Sequence, residues 1–322
     1  MEETKYDVLI FDCYNVFYRW SYSQEEKIVS VDNIPTHIEG IIAFLKAVDT
    51  YIKKFGTDNT KCFFLFDNAK TVYDRKKLSP LYKSNRKSMP DWFYRELDLC
   101  ELILHFYREN SYIFRVPNYE ADDYVSNIIR SYIKDDEKVL MISEDMDWSR
   151  YLKESNPMVN QYRKHYIMDV NNFKDIEHFY PTESNIMFYK TFYGDNSDNI
   201  IGCLSNLEFT LFNKIIDNYK DIYNFIDDVK NKKVNFLDLS WYLKIIKEED
   251  NLKNNWELIK TIEIDDVELS SYSIKCHFNP NKLQIIYSSL NILGLVDPRI
   301  KGFESKTSIF DMLEGESLAR KQ

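Results

Sequence analysis

Residues 6–12 read YDVLIFD and residues 61–67 read KCFFLFD. Each holds an unbroken apolar run, VLIF at 8–11 and CFFLF at 62–66, too short for an ordinary helix, that stops on an aspartate; a strand buried on both faces of a parallel sheet reads this way. Residues 138–142, KVLMI, repeat the pattern and lead into SEDMDW, while residues 112–116, YIFRV, read as a fourth strand. Helical periodicity over residues 34–54, 91–110 and 119–133 separates these runs. Short strands alternating with amphipathic helices predict an α/β fold, a mainly parallel central sheet flanked by helices. Residues 158–170 alternate well enough for a β-hairpin or a pair of edge strands.

From about Pro181 the strand pattern gives way to helical segments at residues 183–192, 207–218 and 222–229. Residues 231–254 are charged and leave room for a surface insertion, and residues 282–293 read as a last core helix. The expected organisation is a sheet domain over residues 1–180, a helical domain over 181–303 and a polar tail over 304–322.

A chain of 322 residues with 44% hydrophobic content can bury a sizeable core. It has no apolar run of 18 residues and starts with charged and polar residues, so neither a membrane span nor a secretory signal is expected. The expected location is cytoplasmic, in an infected host cell if a phage encodes the chain. Cys13, Cys62, Cys100, Cys203 and Cys276 lie far apart, without zinc-ligand spacing.

Four acids should converge on one sheet edge, because ligand groups gather beyond the carboxyl ends of the strands in an open α/β sheet. They are Asp12, Asp67, Asp145 and Asp147. Glu120, Asp122 and Asp123 open a helix in YEADD, where the helix dipole is positive, and Asp195 and Asp198 come from YGDNSDN. Any one of these, taken alone, reads more readily as a helix N-cap than as a metal ligand. Together they leave several carboxylates with no cap to make, and their repulsion would destabilise the fold without cations. Hard oxygen donors favour Mg²⁺, two or more ions, with Mn²⁺ as a substitute. Such a pair of ions is the usual device for in-line phosphoryl displacement.

The net charge of −10 runs against nucleic-acid binding, yet setting the nine acids aside leaves a balance of about −1. Residues 68–90 also carry Lys70, Arg75, Lys76, Lys77, Lys83, Arg86 and Lys87 against the single acid Asp74.

In their order along the chain, these acids resemble those of the flap endonuclease and 5′-to-3′ exonuclease superfamily, a PIN-like nuclease core followed by a helical DNA-binding region. FDNAKTVYDRK followed by LYKSNRK is most similar to the RNase H of T-even bacteriophages, which removes RNA primers during replication. The resemblance covers roughly residues 6–226. It implies a structure-specific 5′-nuclease acting on branched or 5′-ended duplex DNA and on RNA:DNA hybrid, as a monomer, with a single-stranded-DNA-binding protein as a partner. It also implies that Asp67, Asp122, Asp123 and Asp145 hold one metal, with Asp12 and Glu120 in or next to that set. Asp147, Asp195 and Asp198 would hold a second, with Asp145 either shared or not. Lys83 and Arg86 match the family's catalytic basic pair above the metals. Tyr82 would stack on a frayed 5′ nucleotide, and residues 68–90 would form a cationic arch or bridge. Cellular relatives follow GDxxDN with a glycine-rich turn that grips duplex DNA and K⁺; only Gly202 remains here, which leaves Lys214 and Lys220 as candidate backbone contacts.

Two other readings of this fold compete, a PIN-type ribonuclease and, from another class, a catalytically inert replication scaffold that binds branched DNA. A PIN-type ribonuclease would not need Asp195 and Asp198, and nothing in the chain marks lost catalysis. FDCYNV also suggests a haloacid-dehalogenase phosphatase, but that class needs an acid where Tyr14 stands. In the tail, KTSIFDML resembles a sliding-clamp-binding peptide, with Ile309, Phe310, Met312 and Leu313 either docking on a clamp or folding back on the protein.

Overall fold

A computed structural model describes residues 4–21, 28–31, 34–68, 72–86, 89–155 and 157–292. Lys70, Lys87 and the tail residues Ile309, Phe310, Met312 and Leu313 lie outside the described residues.

Eleven strands are present among the described residues: β1 (Val8–Asp12), β2 (Ile28–Val31), β3 (Ile34–His37), β4 (Lys61–Phe66), β5 (Ser111–Arg115), β6 (Lys138–Ile142), β7 (Met158–Arg163), β8 (Tyr166–Met168), β9 (Gly194–Asp195), β10 (Ile200–Ile201) and β11 (Ser273–Lys275). Seven of them form one sheet in the order β11-β5-β4-β1-β6-β7-β8. The five central strands are parallel, and β11 and β8 close the two edges antiparallel. From β1 the chain builds outward to β4 and β5, then returns to β6 and β7 on the other side. The carboxyl end of β1 is therefore a topological switch point, where strand order reverses and a crevice opens. Asp12, the last residue of β1, stands in it.

Period-two alternation sorts the apolar side chains onto two faces. Val8 and Ile10 of β1, Phe63 and Leu65 of β4, and Val139 and Met141 of β6 pack on one side, with the helices Ala121–Tyr132 and Glu183–Tyr193. Leu9, Phe11, Phe64, Leu140 and Ile142 pack on the other, with the helices Ile38–Phe55, Asp91–His105 and Pro280–Ser289. Both faces are apolar, so each strand is a continuous hydrophobic run, and each fully buried side chain contributes about 1.5–3 kcal/mol.

The expected helix over residues 34–54 is corrected to Ile38–Phe55, because residues 34–37 are strand β3, paired with β2. The reason is Pro35, which turns the preceding residue away from the helical region and fits an isolated two-stranded ribbon. The helix expected to reach residue 110 stops at His105, and Asn110 makes the turn into β5 at φ 54°. Residues 158–168 form a hairpin on the sheet edge, with Lys164 and His165 at φ 53° and 66° as its two-residue turn.

Strands also continue past Pro181: β9 pairs with β10, and β11 returns to the sheet beside β5. That return brings Leu283, Ile286 and Tyr287 onto the face covering β1. Between these strands lie the helices Phe209–Asn218, Ile222–Lys230, Leu239–Lys247 and Glu249–Ile259. Among the described residues no helix is long and apolar enough to cross a membrane.

Candidate metal centre

Eight of the nine acids singled out in the sequence line one cavity of about 710 Å³ above the carboxyl ends of β1, β4 and β6: Asp12, Asp67, Glu120, Asp122, Asp145, Asp147, Asp195 and Asp198. Lys83, Arg86 and Lys190 line it with them, and Tyr14 and Tyr18 stand in its wall.

Local structure aims the sheet-edge acids. Asp12 Oδ1 accepts the backbone N–H of Asn15 at 3.0 Å and its Oδ2 accepts the Ser143 hydroxyl at 2.7 Å. Asp67 Oδ1 accepts the Ala121 N–H at 2.7 Å, which ties the end of β4 to the start of the helix Ala121–Tyr132. Asp145 caps the 3₁₀ turn Met146–Tyr151, its Oδ1 accepting the Asp147 N–H at 2.9 Å. Asp122 Oδ1 is buried with no hydrogen-bond partner among the described residues. Among the described residues none of Asp12, Asp67, Asp122 and Asp145 makes an ion pair.

The electrostatics follow from that. Burial, with Asp67 next to it, pushes the Asp12 carboxyl up to about 8, and burial with Glu120 nearby raises Asp67 to about 6. Burial followed by Asp123 and Glu120 raises Asp122 well above the usual carboxylate range, and burial with Asp147 raises Asp145. These four groups resist ionisation unless positive charge is brought to them. Orphaned buried oxygen and an all-carboxylate donor set both fit a hard divalent cation.

A different arrangement surrounds the remaining acids. Lys83 pairs with Glu120 Oε1 and Arg75 with Glu120 Oε2; burial works against the charge, but these cations outweigh it and hold the Glu120 carboxyl below its usual range. Arg86 Nη2 lies 2.6 Å from Asp198 Oδ1, and Lys83 Nζ lies 3.7 Å from the same oxygen. Lys190 Nζ bridges Asp147 Oδ2 and Asp195 Oδ2 at 2.6 Å each. Burial opposes charge on Asp147 and Asp195 as well, and Lys190 overcomes it for both, with Arg150 adding to the effect at Asp147.

Asp123 is the acid that does not line the cavity. Its Oδ2 accepts the Glu120 N–H at 3.0 Å, and its Oδ1 takes Arg75 Nη2 at 2.8 Å and the Ile262 N–H at 3.0 Å. Although Glu120, Asp122 and Asp123 each offer an oxygen within 4.8 Å of one another, the Asp123 oxygens are committed to the protein frame.

Two further assignments are corrected. Arg75 was expected on the nucleic-acid surface but is buried, tied to Glu120, Asp123 and the Lys260 carbonyl. Tyr82 is 1% exposed and cannot stack on a nucleotide; its hydroxyl donates to Asp198 Oδ2 at 3.1 Å. Lys83 is also buried, with φ 53° and its backbone N–H donating to the Asp198 carbonyl at 2.8 Å. Lys76, Lys77, Lys214 and Lys220 are exposed. Arg86 keeps a side chain 43% exposed at the cavity mouth.

Segment 81–86 is stitched to the β9–β10 loop: Asn85 donates to the Asn196 carbonyl at 2.6 Å, Arg86 Nε to the Ser197 carbonyl at 3.0 Å and Asn199 to the Leu81 carbonyl at 2.8 Å. Gly202 closes that ribbon. A Cβ there would lie 2.3 Å from the Tyr193 carbonyl carbon, so the glycine serves backbone packing under Asp195.

Lys190 and Arg150 escaped the sequence reading. The available signal for Lys190 was its place one turn after Ile186 and Met187, on the buried face of the helix Glu183–Tyr193, where a lysine needs acids.

A mainly parallel sheet with eight carboxylates and the cations Lys83, Arg86 and Lys190 around a cavity over its switch point fits the class of metal-dependent phosphodiester hydrolases built on a PIN-like core. Residues 7–178, more than half of the chain, match the 5′-3′ exonuclease N-terminal resolvase-like domain, and the chain belongs to that family. It is 28% identical over 249 residues to the 5′-3′ exonuclease of Buchnera aphidicola subsp. Acyrthosiphon pisum, covering 76% of this chain and 84% of that one. It is 27% identical over 124 residues to the ribonuclease H of Enterobacteria phage T4, covering 35% of this chain and 39% of that one. In fold it resembles the bacteriophage T5 flap endonuclease crystallised with DNA and metal ions, with a TM-score of 0.58 and 16% identity over 98% of this chain and 99% of that one.

Proposed function

We propose that this chain is a divalent-metal-dependent 5′-nuclease that removes RNA primers, adjacent DNA and 5′ flaps by hydrolysing phosphodiesters, with Mg²⁺ as the ion used and Mn²⁺ as a substitute. The observation that carries the reading is the cavity over the switch point, where Asp12, Asp67, Asp122 and Asp145 meet without a cationic partner among the described residues. These four would hold an ion, with Asp147, Asp195 and Asp198 as the second group. Bound divalent cations supply an activated water at neutral pH and neutralise charge on the leaving oxygen.

The protein's own contribution is positional. Lys83 and Arg86 stand at the cavity with their cationic groups on Glu120 and Asp198, where a scissile phosphate would take over as their partner. Tyr14 and Tyr18 replace Tyr82 as the aromatics available at the mouth, and Tyr18 is 46% exposed. Lys76, Lys77, Lys214 and Lys220 remain candidate phosphate contacts away from the chemistry. Asp195 and Asp198 on the cavity wall favour this reading over a smaller PIN-type ribonuclease. Recruitment to a sliding clamp through Ile309, Phe310, Met312 and Leu313, and contact with a single-stranded-DNA-binding protein, belong to the same proposal.

The test is to present 5′-labelled flap, nicked duplex and RNA:DNA hybrid with Mg²⁺, with Mn²⁺ and with chelator, and to map the products. Short products from the 5′ end that vanish with chelator are expected. Release from the 3′ end, or cutting that persists in excess chelator, would refute the proposal.

A further inference from the structure

The two groups of acids in the cavity are neutralised to different degrees. Lys190 reaches from the last turn of the helix Glu183–Tyr193, its side chain 6% exposed, and places Nζ 2.6 Å from both Asp147 Oδ2 and Asp195 Oδ2. Arg150 Nη2 covers the other Asp147 oxygen at 2.6 Å from a side chain 1% exposed. Asp195 Oδ1 accepts the Ser197 N–H at 2.8 Å and the Ser197 hydroxyl at 2.6 Å. Every oxygen of Asp147 and Asp195 is thus engaged. At the sheet edge, by contrast, no ion pair reaches Asp12, Asp67, Asp122 or Asp145 among the described residues, and Asp122 Oδ1 has no hydrogen-bond partner.

We propose that the cavity binds divalent ions unequally: the sheet-edge acids take one tightly, while the Lys190 ammonium closes the Asp147 and Asp195 group until a phosphate draws it away. The inference rests on the metal-dependent reading above. Its physical basis is exclusion. Mg²⁺ sits about 2.0–2.1 Å from carboxylate oxygen, so an ion bridging Asp147 and Asp195 would have to occupy the space already filled by the ammonium. Expelling a buried ammonium without a new counter-charge is costly, and so is leaving the acids unpaired in its place. A nucleic-acid phosphate in the cavity supplies that counter-charge. Lys190 then acts as a positioning residue that couples the second ion to substrate: it keeps the Asp147 and Asp195 carboxylates in place before the ion arrives and turns to the phosphate afterwards.

The test is Mn²⁺ binding to the full chain without nucleic acid, followed by calorimetry and by the electron paramagnetic resonance of free Mn²⁺. Wild type is expected to bind one ion tightly and a second at least tenfold more weakly, and Lys190→Met to bring the two affinities together. Should Lys190→Met fail to fold, Asp195→Asn and Asp122→Asn decide: the first keeps the tight ion and the second loses it. Two ions of equal affinity in wild type, an unchanged second affinity in folded Lys190→Met, or loss of the tight ion in Asp195→Asn would overturn this inference and leave the nuclease reading standing. Absence of any bound ion would overturn both.

Discussion

Asp122 and Asp123 sit side by side in the first turn of one helix, and their surroundings assign them opposite work. Asp122 is buried among like charges with Oδ1 unpartnered, whereas both oxygens of Asp123 are held by Arg75 and by backbone N–H groups. An amide at 122 needs no proton, whereas the buried Asp122 carboxyl must be held protonated against neutral solution, so Asp122→Asn is expected to raise the melting temperature in chelator at neutral pH while abolishing metal-dependent cutting. Asp123→Ala leaves Arg75 with Glu120 as its remaining carboxylate partner and takes the acceptor from the Glu120 and Ile262 N–H groups, which should cost on the order of 1–3 kcal/mol in a denaturant titration. If the two substitutions shifted stability in the same direction, the division between them would be wrong. Lys83→Ala is expected to slow single-turnover cutting of bound substrate by about a hundredfold, as for loss of a group that stabilises developing charge. A rate equal to wild type would remove Lys83 from the chemistry. That eight of the nine acids meet in one cavity was largely legible in the chain, because Asp12 ends a strand, Asp67 follows one, and Glu120 and Asp122 open a helix. Which acid is frame and which is free was not, since this depends on Arg75 and Ile262, which lie 48 and 139 residues from Asp123.

Among the elements, the β9–β10 ribbon decides whether the second group of acids is complete. It carries Asp195 and Asp198 on a loop held by Asn85 and Arg86 from a segment 111 or more residues earlier, and it closes because Gly202 lies backbone to backbone against Tyr193. A methyl group at Gly202 has nowhere to go, so Gly202→Ala should displace the loop. We expect at least a tenfold fall in cutting rate, with far-ultraviolet circular dichroism unchanged because the seven-stranded sheet does not depend on this ribbon. Unaltered kinetics would show that the loop tolerates displacement. The ribbon itself was not visible beforehand: two residues per strand leave no periodicity to read. The glycine was visible but was read against a DNA-gripping turn, when its neighbour is the protein's own backbone.

For the molecule as a whole, the raised carboxyls make stability depend on pH and metal together. Asp12 at about 8 and Asp67 at about 6 lie above the ordinary value of 3.8, so the folded state holds protons that the unfolded chain has released. Their contribution is present below pH 3.8 and is lost as pH rises through 6 and 8. In chelator the melting temperature should therefore fall between about pH 6 and pH 8.5. Saturating Mg²⁺ should flatten that slope, and its binding at pH 7 should release protons, seen as a binding enthalpy that varies with the ionisation enthalpy of the buffer. A melting temperature that rises with pH in chelator, or metal uptake without proton release, would contradict this account.

Sequence by itself determined the class of fold and the edge on which the acids meet. Apolar runs ending at Asp12 and Asp67, and the KVLMI run that leads through Ser143 and Glu144 to Asp145, specify strands buried on both faces. A parallel sheet of such strands presents its carboxyl ends together, whatever the details of packing. Only the tertiary structure decided what the cations do. Arg75 and Tyr82 carry no local mark of their roles, because their partners Glu120 and Asp198 lie 45 and 116 residues away along the chain; Lys190 is marked by its buried helix face and lies five residues before Asp195, but its other partner, Asp147, is 43 residues away. A charged or hydroxyl-bearing side chain faces water or turns inward according to whether the fold brings it a buried counter-charge. That outcome is set by the approach of distant segments and not by any pattern within one.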